Sequence, residues 1–509
     1  MRSVFSRSTV WLTLGGAVLI LAGCGGKTDS ARETGAVGSE ESDKGTGSSA
    51  KIPVTTKSEE ARKLYNEGLT RLDQLRFHDA RESFQQAAAK DPEFAMAHFQ
   101  LALSSPSNKE TLAHTKQAVA LAGKASEGER LAILGLQAGL NSDPAKALEY
   151  AKQAVEKYPG DERARQTLAF AYSGQQEDEK AIEELNKAIE LNPDFSPAYN
   201  SLGYAYRVVD NNVDAEKAFR KYIELVPNDP NPYDSYGELL MKTGRFDESI
   251  AQYQKALSLD PNFSNSRYGI AANRMYQGRH AEAIAEADKL AKAARNDGDR
   301  RFAFFIKSVV YADQGKTSQA IAEIEKEYAL DTKIGDPAQA AADANAIGII
   351  LLAEVKPEEA QKRFQQALDL QLKSSLSPEA KEDAKLAHHY NLGRVALARN
   401  DLASAKTHAA EYLKGAEGKQ NSTRVQQAHE LAGAIALKEK NADQAIAELE
   451  KADQQDPYVL YLLATAEGGK EGHGVKAREL YKKSAEFYTL PTLNYALIRA
   501  KARKATGGT

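Results

Sequence analysis

From residue 58 to about residue 490 the apolar positions recur at the three- and four-residue spacing of amphipathic helices. A longer interval is superimposed on that spacing. Pro159, Pro193, Pro227 and Pro261 stand thirty-four residues apart. Ala147, Ala181, Ala215 and Ala283 keep the same interval, with Ser249 in the remaining slot. Gly135, Gly203 and Gly237 fall in that register, Ala169 and Ala271 take glycine's place, and Leu134, Leu168 and Leu202 precede them. A fixed period of this length marks a stacked helical repeat, whose unit cannot bury its apolar face alone.

The N-terminal end is patterned differently. Residues 9–21 form an apolar stretch of thirteen residues behind Arg2 and Arg7. That is too short to span a bilayer as a helix and reads as the hydrophobic region of a signal peptide. In residues 25–50, fourteen of twenty-six positions are Gly, Ser or Thr, and Val37 is the only large aliphatic. Such a segment cannot bury enough surface to fold and is expected to act as a tether.

The repeat closely resembles the tetratricopeptide pattern over about 450 of the 509 residues. The first copy, 61–94, carries Leu64, Gly68, Ala80, Phe84, Ala87 and Pro92. Well-matched copies follow at 128–161, 162–195, 196–229, 230–263 and 264–297. Looser ones fall at 301–334, 341–374, 386–419 and 426–459, and degenerate ones at 95–127 and 458–490. The resemblance implies an all-α, right-handed superhelical solenoid of about twelve helix-turn-helix repeats, with helix A of each lining the concave wall. In that geometry the small residues let helices A and B approach closely, and proline ends helix B. Residues 331–337 and 371–383 interrupt the beat as polar spacers, dividing the array into blocks at 58–298, 299–376 and 377–490. Residues 491–509 read as a capping helix and tail, with Leu493, Tyr495, Ala496 and Ile498 on one side and Arg499, Lys501, Arg503 and Lys504 as bases.

Leu21-Ala22-Gly23-Cys24 resembles the lipobox of bacterial lipoproteins. The resemblance implies a signal peptide at 1–23, a diacylglyceryl group on Cys24, and a flexible tether over 24–57. Several acyl chains give a stable membrane anchor where one would not. Localisation is then the cell membrane by lipid anchor, facing the periplasm or the exterior. Gly25 after the cysteine favours the outer membrane in a two-membrane cell.

Charge and chemistry narrow the picture. Sixty-seven basic and seventy-one acidic residues give a net charge of −4, with no concentrated basic face for nucleic acid. Cys24 is the sole cysteine, so an intrachain disulfide or a cysteine zinc site is excluded. His388, His389, His408 and His429 cluster in two late repeats, but no HExxH motif accompanies them, and His389 and His429 sit at a packing position. Gly315-Lys316-Thr317 resembles the end of a phosphate-binding loop, yet Val310 stands where that loop needs glycine. The glycine-rich stretch 468–474 follows no strand. No catalytic residue, metal site, cofactor or small-molecule substrate is expected, and the protein is read as a non-enzyme.

Specificity is then expected in the concave groove. Positions five, nine and twelve of helix A share one face. In the central repeats that face offers Phe170, Asn200, Tyr204, Arg207, Asp234, Glu238, Met241 and Tyr268 as a candidate peptide-binding groove. Aromatics and an arginine among polar groups suit interface hot spots. Some tetratricopeptide domains clamp a terminal carboxylate with Lys, Asn and Arg. Asn200 matches in type, but Asn231 and Ser235 stand where the bases would be, so that ligand is not expected. The expected function is a membrane-anchored scaffold or adaptor for protein partners in the bacterial envelope. An accessory subunit of a polysaccharide, pilus or secretion complex, gripping a glycan or glycosyltransferase, is the alternative.

Overall fold

The computed structural model describes residues 51–73, 76–105 and 107–506. The signal peptide, Cys24 and the tether up to residue 50 lie outside the described residues. Within them the chain forms twenty-five α-helices, a short 3₁₀ turn at Ala122–Lys124 and no strand.

Twenty-four of the helices pair as A–B hairpins in sequence order. The first four pairs are α1 (Glu59–Asp73) with α2 (Phe77–Lys90), α3 (Ala95–Leu103) with α4 (Asn108–Leu121), α5 (Glu127–Leu140) with α6 (Pro144–Lys157), and α7 (Glu162–Gly174) with α8 (Asp178–Leu191). The next four are α9 (Ser196–Val208) with α10 (Asn212–Leu225), α11 (Pro230–Lys242) with α12 (Phe246–Leu259), α13 (Ser264–Tyr276) with α14 (His280–Ala293), and α15 (Asp297–Asp313) with α16 (Thr317–Ile334). The last four are α17 (Pro337–Ala353) with α18 (Pro357–Lys373), α19 (Pro378–Ala398) with α20 (Leu402–Gly418), α21 (Ser422–Lys438) with α22 (Ala442–Leu449), and α23 (Pro457–Gly468) with α24 (Gly474–Ala485). A final helix, α25 (Leu493–Ala505), has no B partner. The twelve pairs match the expected number of repeats, including the two degenerate ones.

The small signature residue does what close helix approach requires. A Cβ on Gly203 would lie 2.5 Å from Phe219 of the paired helix, and one on Gly348 would lie 2.5 Å from Phe364. Both rings are fully buried, each contributing about 2–3 kcal/mol of transfer energy. The prolines at 159, 193, 227 and 261 follow the helix-B C-caps Tyr158, Asn192, Val226 and Asp260. Asn192 and Asp260 accept the backbone N–H groups of Asp194 and Asn262, forming side-chain turns that carry the chain into the next repeat. At the A–B turn, Ser142, Gln176, Asp210, Gly244 and Gly278 all take positive φ, thirty-four residues apart.

The later repeats correct the sequence reading. Helices A of repeats 8 to 11 begin at Asp297, Pro337, Pro378 and Ser422, forty to forty-four residues apart. The extra residues lengthen the helices to seventeen residues or more in α15 to α21, so 331–337 and 371–383 are largely helix ends and caps and not polar spacers. One apolar cluster runs from Met241 through Phe302 and Phe364 to Val395, across both expected block boundaries.

Seven repeats complete one superhelical turn, and the next turn touches it. Asn108 Nδ2 donates to Gln339 Oε1 at 2.9 Å, linking repeats 2 and 9. Ser377 Oγ donates to Asn141 Oδ1 at 2.6 Å between repeats 10 and 3, and Gln176 Nε2 to Gln426 Oε1 at 2.6 Å between repeats 4 and 11. Each contact joins an A–B turn, or the helix start just after it, in the first turn to the start of a helix A in the second. The concave face is thereby enclosed as a lumen.

Residues 51–57, assigned from sequence to the flexible tether, are instead fastened to the outer edge of repeats 2 to 4. Ile52 N–H donates to Asp161 Oδ2 at 2.9 Å, Thr55 N–H to Glu129 Oε1 at 2.9 Å, and Thr56 Oγ1 to Asp91 Oδ2 at 2.6 Å. Lys51 pairs with Glu162 at 2.7 Å. The strap therefore crosses the starts of α7 and α5 and the turn between α2 and α3 in that order, meeting the α7 N-cap Asp161, the α5 capping-box Glu129 and the α2 C-cap Asp91.

Candidate functional site

The eight central groove residues lie where the A-helix rule puts them, but mostly in a closed seam between adjacent A helices. Arg207 Nη1 pairs with Glu238 Oε2 at 3.0 Å, and Tyr204 donates its hydroxyl to Glu238 Oε1 at 3.0 Å. The Arg207 guanidinium also lies 4.8 Å from the Tyr204 ring centre. Ser266 donates to Asp234 Oδ1 at 2.6 Å, bridging α13 and α11. Burial, then the charge of Glu238, pushes the Asp234 carboxyl up from its ordinary value. Arg207, Asp234, Glu238, Met241 and Tyr268 are buried, with Met241 and Tyr268 at 0% and 1% exposure. Phe170, Asn200 and Tyr204 are half-buried. These polar groups meet one another because successive A helices pack side by side, so the donors of one reach the acceptors of the next.

The lumen beyond this seam is filled by the chain's own C-terminal segment. Tyr268 and Tyr276 of α13 donate their hydroxyls to the carbonyls of Pro491 and Thr489. Tyr488 stands edge-on to Phe246 at 4.9 Å and to Tyr276 at 5.2 Å between ring centres. Arg499 pairs with Asp313 at 2.7 Å, reaches the Tyr276 carbonyl at 3.3 Å and is 3% exposed. His280 Nε2 approaches the same carboxylate at 2.9 Å. Leu490, Leu493, Tyr495, Ala496 and Ile498 join Met241, Tyr268, Met275 and Ile306 in a single apolar cluster. The sequence places α25 at the end of the array as a cap. It does cover α23 and α24, but its other faces rest on α15 and α17 inside the lumen. Arg499, expected among solvent-facing bases, is the buried anchor of that docking.

Further along the same face the lumen stays open. A pocket of about 340 Å³ lies between α17, α19, α21, α23 and α25. Tyr390 and Arg394 of α19 project into it, with Ile349 and Leu352 of α17, Leu431 and Ala434 of α21, and Leu497 and Ile498 of α25 as apolar walls. Tyr390 donates its hydroxyl to Glu430 Oε1 at 2.6 Å. Burial, aided by the charge of Asp456, pushes the Glu430 carboxyl up to about 7. Arg424 at the margin is committed to Asp383 and to the Tyr412 hydroxyl. Arg394 lies 5.5 Å from the Tyr390 ring centre and makes no hydrogen bond or ion pair with the described residues.

Family models of the tetratricopeptide repeat match residues 65–105, 138–203 and 237–272. Within those segments the helix pairs match the tetratricopeptide repeat. No curated protein matches the chain in sequence. Solved structures similar to it include a tetratricopeptide repeat protein from Parabacteroides merdae, 18% identical, covering 57% of this chain and 100% of that one, at a TM-score of 0.34. MamA is 24% identical over 32% of this chain and 97% of its own, at a TM-score of 0.28. The APC/C hetero-tetramer Cut9–Hcn1 matches at 16% identity over 83% of this chain and 76% of that one, at a TM-score of 0.38.

In tetratricopeptide register the pocket residues are the same positions five, nine and twelve carried into repeats 9 to 11. They fall on Asn345, Ile349 and Leu352, then Tyr390, Arg394 and Leu397, then Glu430 and Ala434. The sequence carries the signal for this site at the same helix-A positions beyond repeat 7. The other chemical candidates are packing. Gly315 is an A–B turn residue at φ 71°, and Gly472, within the stretch 468–474, is another at φ 80°. His389 Nδ1 meets His408 Nδ1 at 3.1 Å between α19 and α20, and His429 meets Glu448 at 2.7 Å between α21 and α22. Among the described residues no group of three or more His, Cys, Asp or Glu is arranged to hold a metal ion. No helix among them is long and apolar enough to cross a membrane.

Proposed function

We propose that the protein is a non-catalytic tetratricopeptide scaffold of the bacterial cell envelope, held to the membrane by lipid on Cys24 and recruiting a protein partner. The observation that carries the binding half is the occupied lumen. Repeats 6 to 9 hold residues 487–499 through tyrosine hydroxyls on backbone carbonyls, aromatic edges and one buried ion pair. Main-chain capture combined with side-chain pockets is how a helical groove grips an extended or helical peptide. The C-terminal segment is then an internal ligand that a partner's segment displaces or works beside.

The anchoring half is supported by the four-residue match ending at Cys24 and by the strap. Residues 51–57 bring the chain onto the edge of repeats 2 to 4, so a lipid at Cys24 holds that edge toward the membrane across a polar tether. The protein faces the periplasm or the exterior, with the outer membrane as its site in a two-membrane cell.

The test is in-cell crosslinking and membrane fractionation of the wild type, Cys24→Ser, and Tyr268→Phe/Tyr276→Phe. The reading expects loss of membrane association and of palmitate labelling in Cys24→Ser alone. It expects the double phenylalanine variant to capture more of an envelope partner, because two hydrogen bonds holding the internal ligand are gone. Equal fractionation of Cys24→Ser and wild type overturns the anchor. Identical crosslinks in all three overturn the lumen as the binding surface.

A further inference from the structure

Arg394 is the exception among the arginines of this fold. Each of the other arginines that is not solvent-exposed has a partner: Arg207 on Glu238, Arg424 on Asp383, Arg499 on Asp313, Arg165 on Glu184, Arg301 on Asp331. Arginine stays ionised in proteins, so a half-buried guanidinium without a hydrogen-bonded partner leaves donors unmet in a region of low dielectric. The two nearest acids bring negative charge near it but are not hydrogen-bonded to it. Glu430 is engaged by the Tyr390 hydroxyl, and Asp456 accepts the Tyr458 N–H at 2.8 Å as the N-cap of α23.

The surroundings state what kind of counter-charge fits. The guanidinium opens onto about 340 Å³, at the small end of the range for sites that take small ligands. Ile349, Leu397, Leu431, Leu497 and Ile498 give the wall an aliphatic part, and Lys438 and Lys501 also line it. A planar fork beside an aliphatic wall suits one carboxylate with a hydrophobic body, since carboxylate geometry matches the fork in bidentate fashion. The α25 wall separates this chamber from the stretch of lumen filled by residues 487–491.

We infer that the chamber beneath Arg394 is a binding site for a small organic acid, its carboxylate on the guanidinium and its aliphatic or aromatic body against Ile349, Leu431 and Leu497. This site goes beyond the scaffold reading and does not depend on it. A free acid occupies the chamber without entering the lumen of repeats 6 to 8.

The experiment is ligand-observed NMR and calorimetry on the purified full chain. The probes are phenylacetate, 4-phenylbutyrate and octanoate, each with its primary amide, together with inorganic phosphate and a tripeptide ending in free-acid phenylalanine. At least one acid is expected to bind, its amide at least about tenfold more weakly, and Arg394→Gln at least about tenfold more weakly than wild type. The helical circular-dichroism melt of Arg394→Gln is expected to be unchanged, which separates lost recognition from lost folding. The inference is overturned if no acid binds, if acid and amide bind alike, or if Arg394→Gln binds as well as wild type. Binding of phosphate alone or of the tripeptide alone overturns it as well. Partner crosslinking is a separate readout, so failure here leaves the scaffold reading standing, and the converse holds.

Discussion

Repeats 5 to 7 and repeats 9 to 11 present the same three A-helix positions to the same lumen, and the two regions have used them in opposite ways. In the central region each of these charged groups has a hydrogen-bonded partner. Arg207 meets Glu238, Tyr204 closes the second carboxylate oxygen, and Asp234 takes Ser266. In the later region Tyr390 takes up Glu430 and Arg394 is left facing space. The difference lies one repeat ahead of each arginine. Arg207, at position twelve of repeat 5, sees an acid, Glu238, at position nine of the next repeat, whereas Arg394, at position nine of repeat 10, finds Ala434 at position nine of the next, and the nearest acid on that helix, Glu430, sits one turn earlier. A repeat array thus decides between structure and recognition by which side chains adjacent A helices set opposite one another.

The sharpest way to break the comparison is to remove one charge from each region. Glu238→Ala strands a buried arginine and a tyrosine hydroxyl, and is expected to cost about 3–5 kcal/mol in the stability of repeats 5 and 6. Arg394→Gln removes a charge that no ion pair or hydrogen bond engages, and is expected to change stability by no more than about 0.5 kcal/mol. Denaturant unfolding followed by hydrogen exchange in the peptides of each repeat separates the two, since repeat arrays open locally. Equal losses would mean that Arg394 is structurally paired after all.

Next in size is the ion pair that seats the C-terminal segment. Arg499→Ala is expected to loosen residues 487–505 by about 2–3 kcal/mol, below the full cost of a stranded charge because His280 remains beside Asp313. Hydrogen exchange should rise in that segment and in α13, whose Tyr276 carbonyl loses a donor. If exchange rises only in α23 and α24, the segment is an end cap, as the sequence alone suggests, and not an internal ligand.

That contrast shows what the sequence carried and what it did not. The twelve pairs, the signature glycines against Phe219 and Phe364, and the turn glycines were legible because each depends on residues within one repeat or between neighbours. The longer helices of repeats 8 to 11 were misread, since a pattern tuned to thirty-four residues assigns surplus residues to spacers. The strap on Asp161, Glu129 and Asp91 was hidden by composition. A short stretch without helical pattern looks like tether whether or not three caps along an edge can accept its N–H groups. The docking of α25 was the least legible of all. Its partners, Asp313 and Tyr276, lie about two hundred residues away, and only superhelical closure brings them near.

A pH titration sharpens the comparison further. Burial raises the carboxyl of Glu430 in the later region to about 7, and that of Asp234 in the central one above its ordinary value. An acid raised on folding holds its proton longer in the native state. Its stabilisation is complete below the unfolded value near 4.5 and is lost as pH rises through the folded value near 7. Glu430→Gln is therefore expected to gain stability over wild type at pH 8, on the order of 2 kcal/mol, and to show none of this gain at pH 4. Asp234→Asn should show the same sign. Carboxylate binding should tell the regions apart, because only ionised Glu430 competes for Arg394. Affinity should fall above pH 7 in wild type and in Asp234→Asn but stay level in Glu430→Gln. A level wild-type profile would remove Glu430 from the electrostatics of the pocket.

The smallest effect tests whether the rim of the open region is strained for function or merely by history. Val355, at the A–B turn of repeat 9, holds φ at 59° and is 71% exposed, while the equivalent turns of repeats 6 to 8 place Gly244, Gly278 and Gly315 there. A β-branched side chain in the left-handed region is costly, and its exposure means that little packing is lost on removal. Val355→Gly is expected to stabilise repeat 9 by about 1 kcal/mol, the relieved strain exceeding the added freedom of the unfolded chain. Val355 also borders the pocket, so the variant separates two roles. Unchanged carboxylate affinity with raised stability makes it a turn residue only. A fall of tenfold or more, with Arg394 untouched, would make the strained valine part of the wall that selects the ligand's apolar body, and would extend the contrast between the two regions from their charges to their turns.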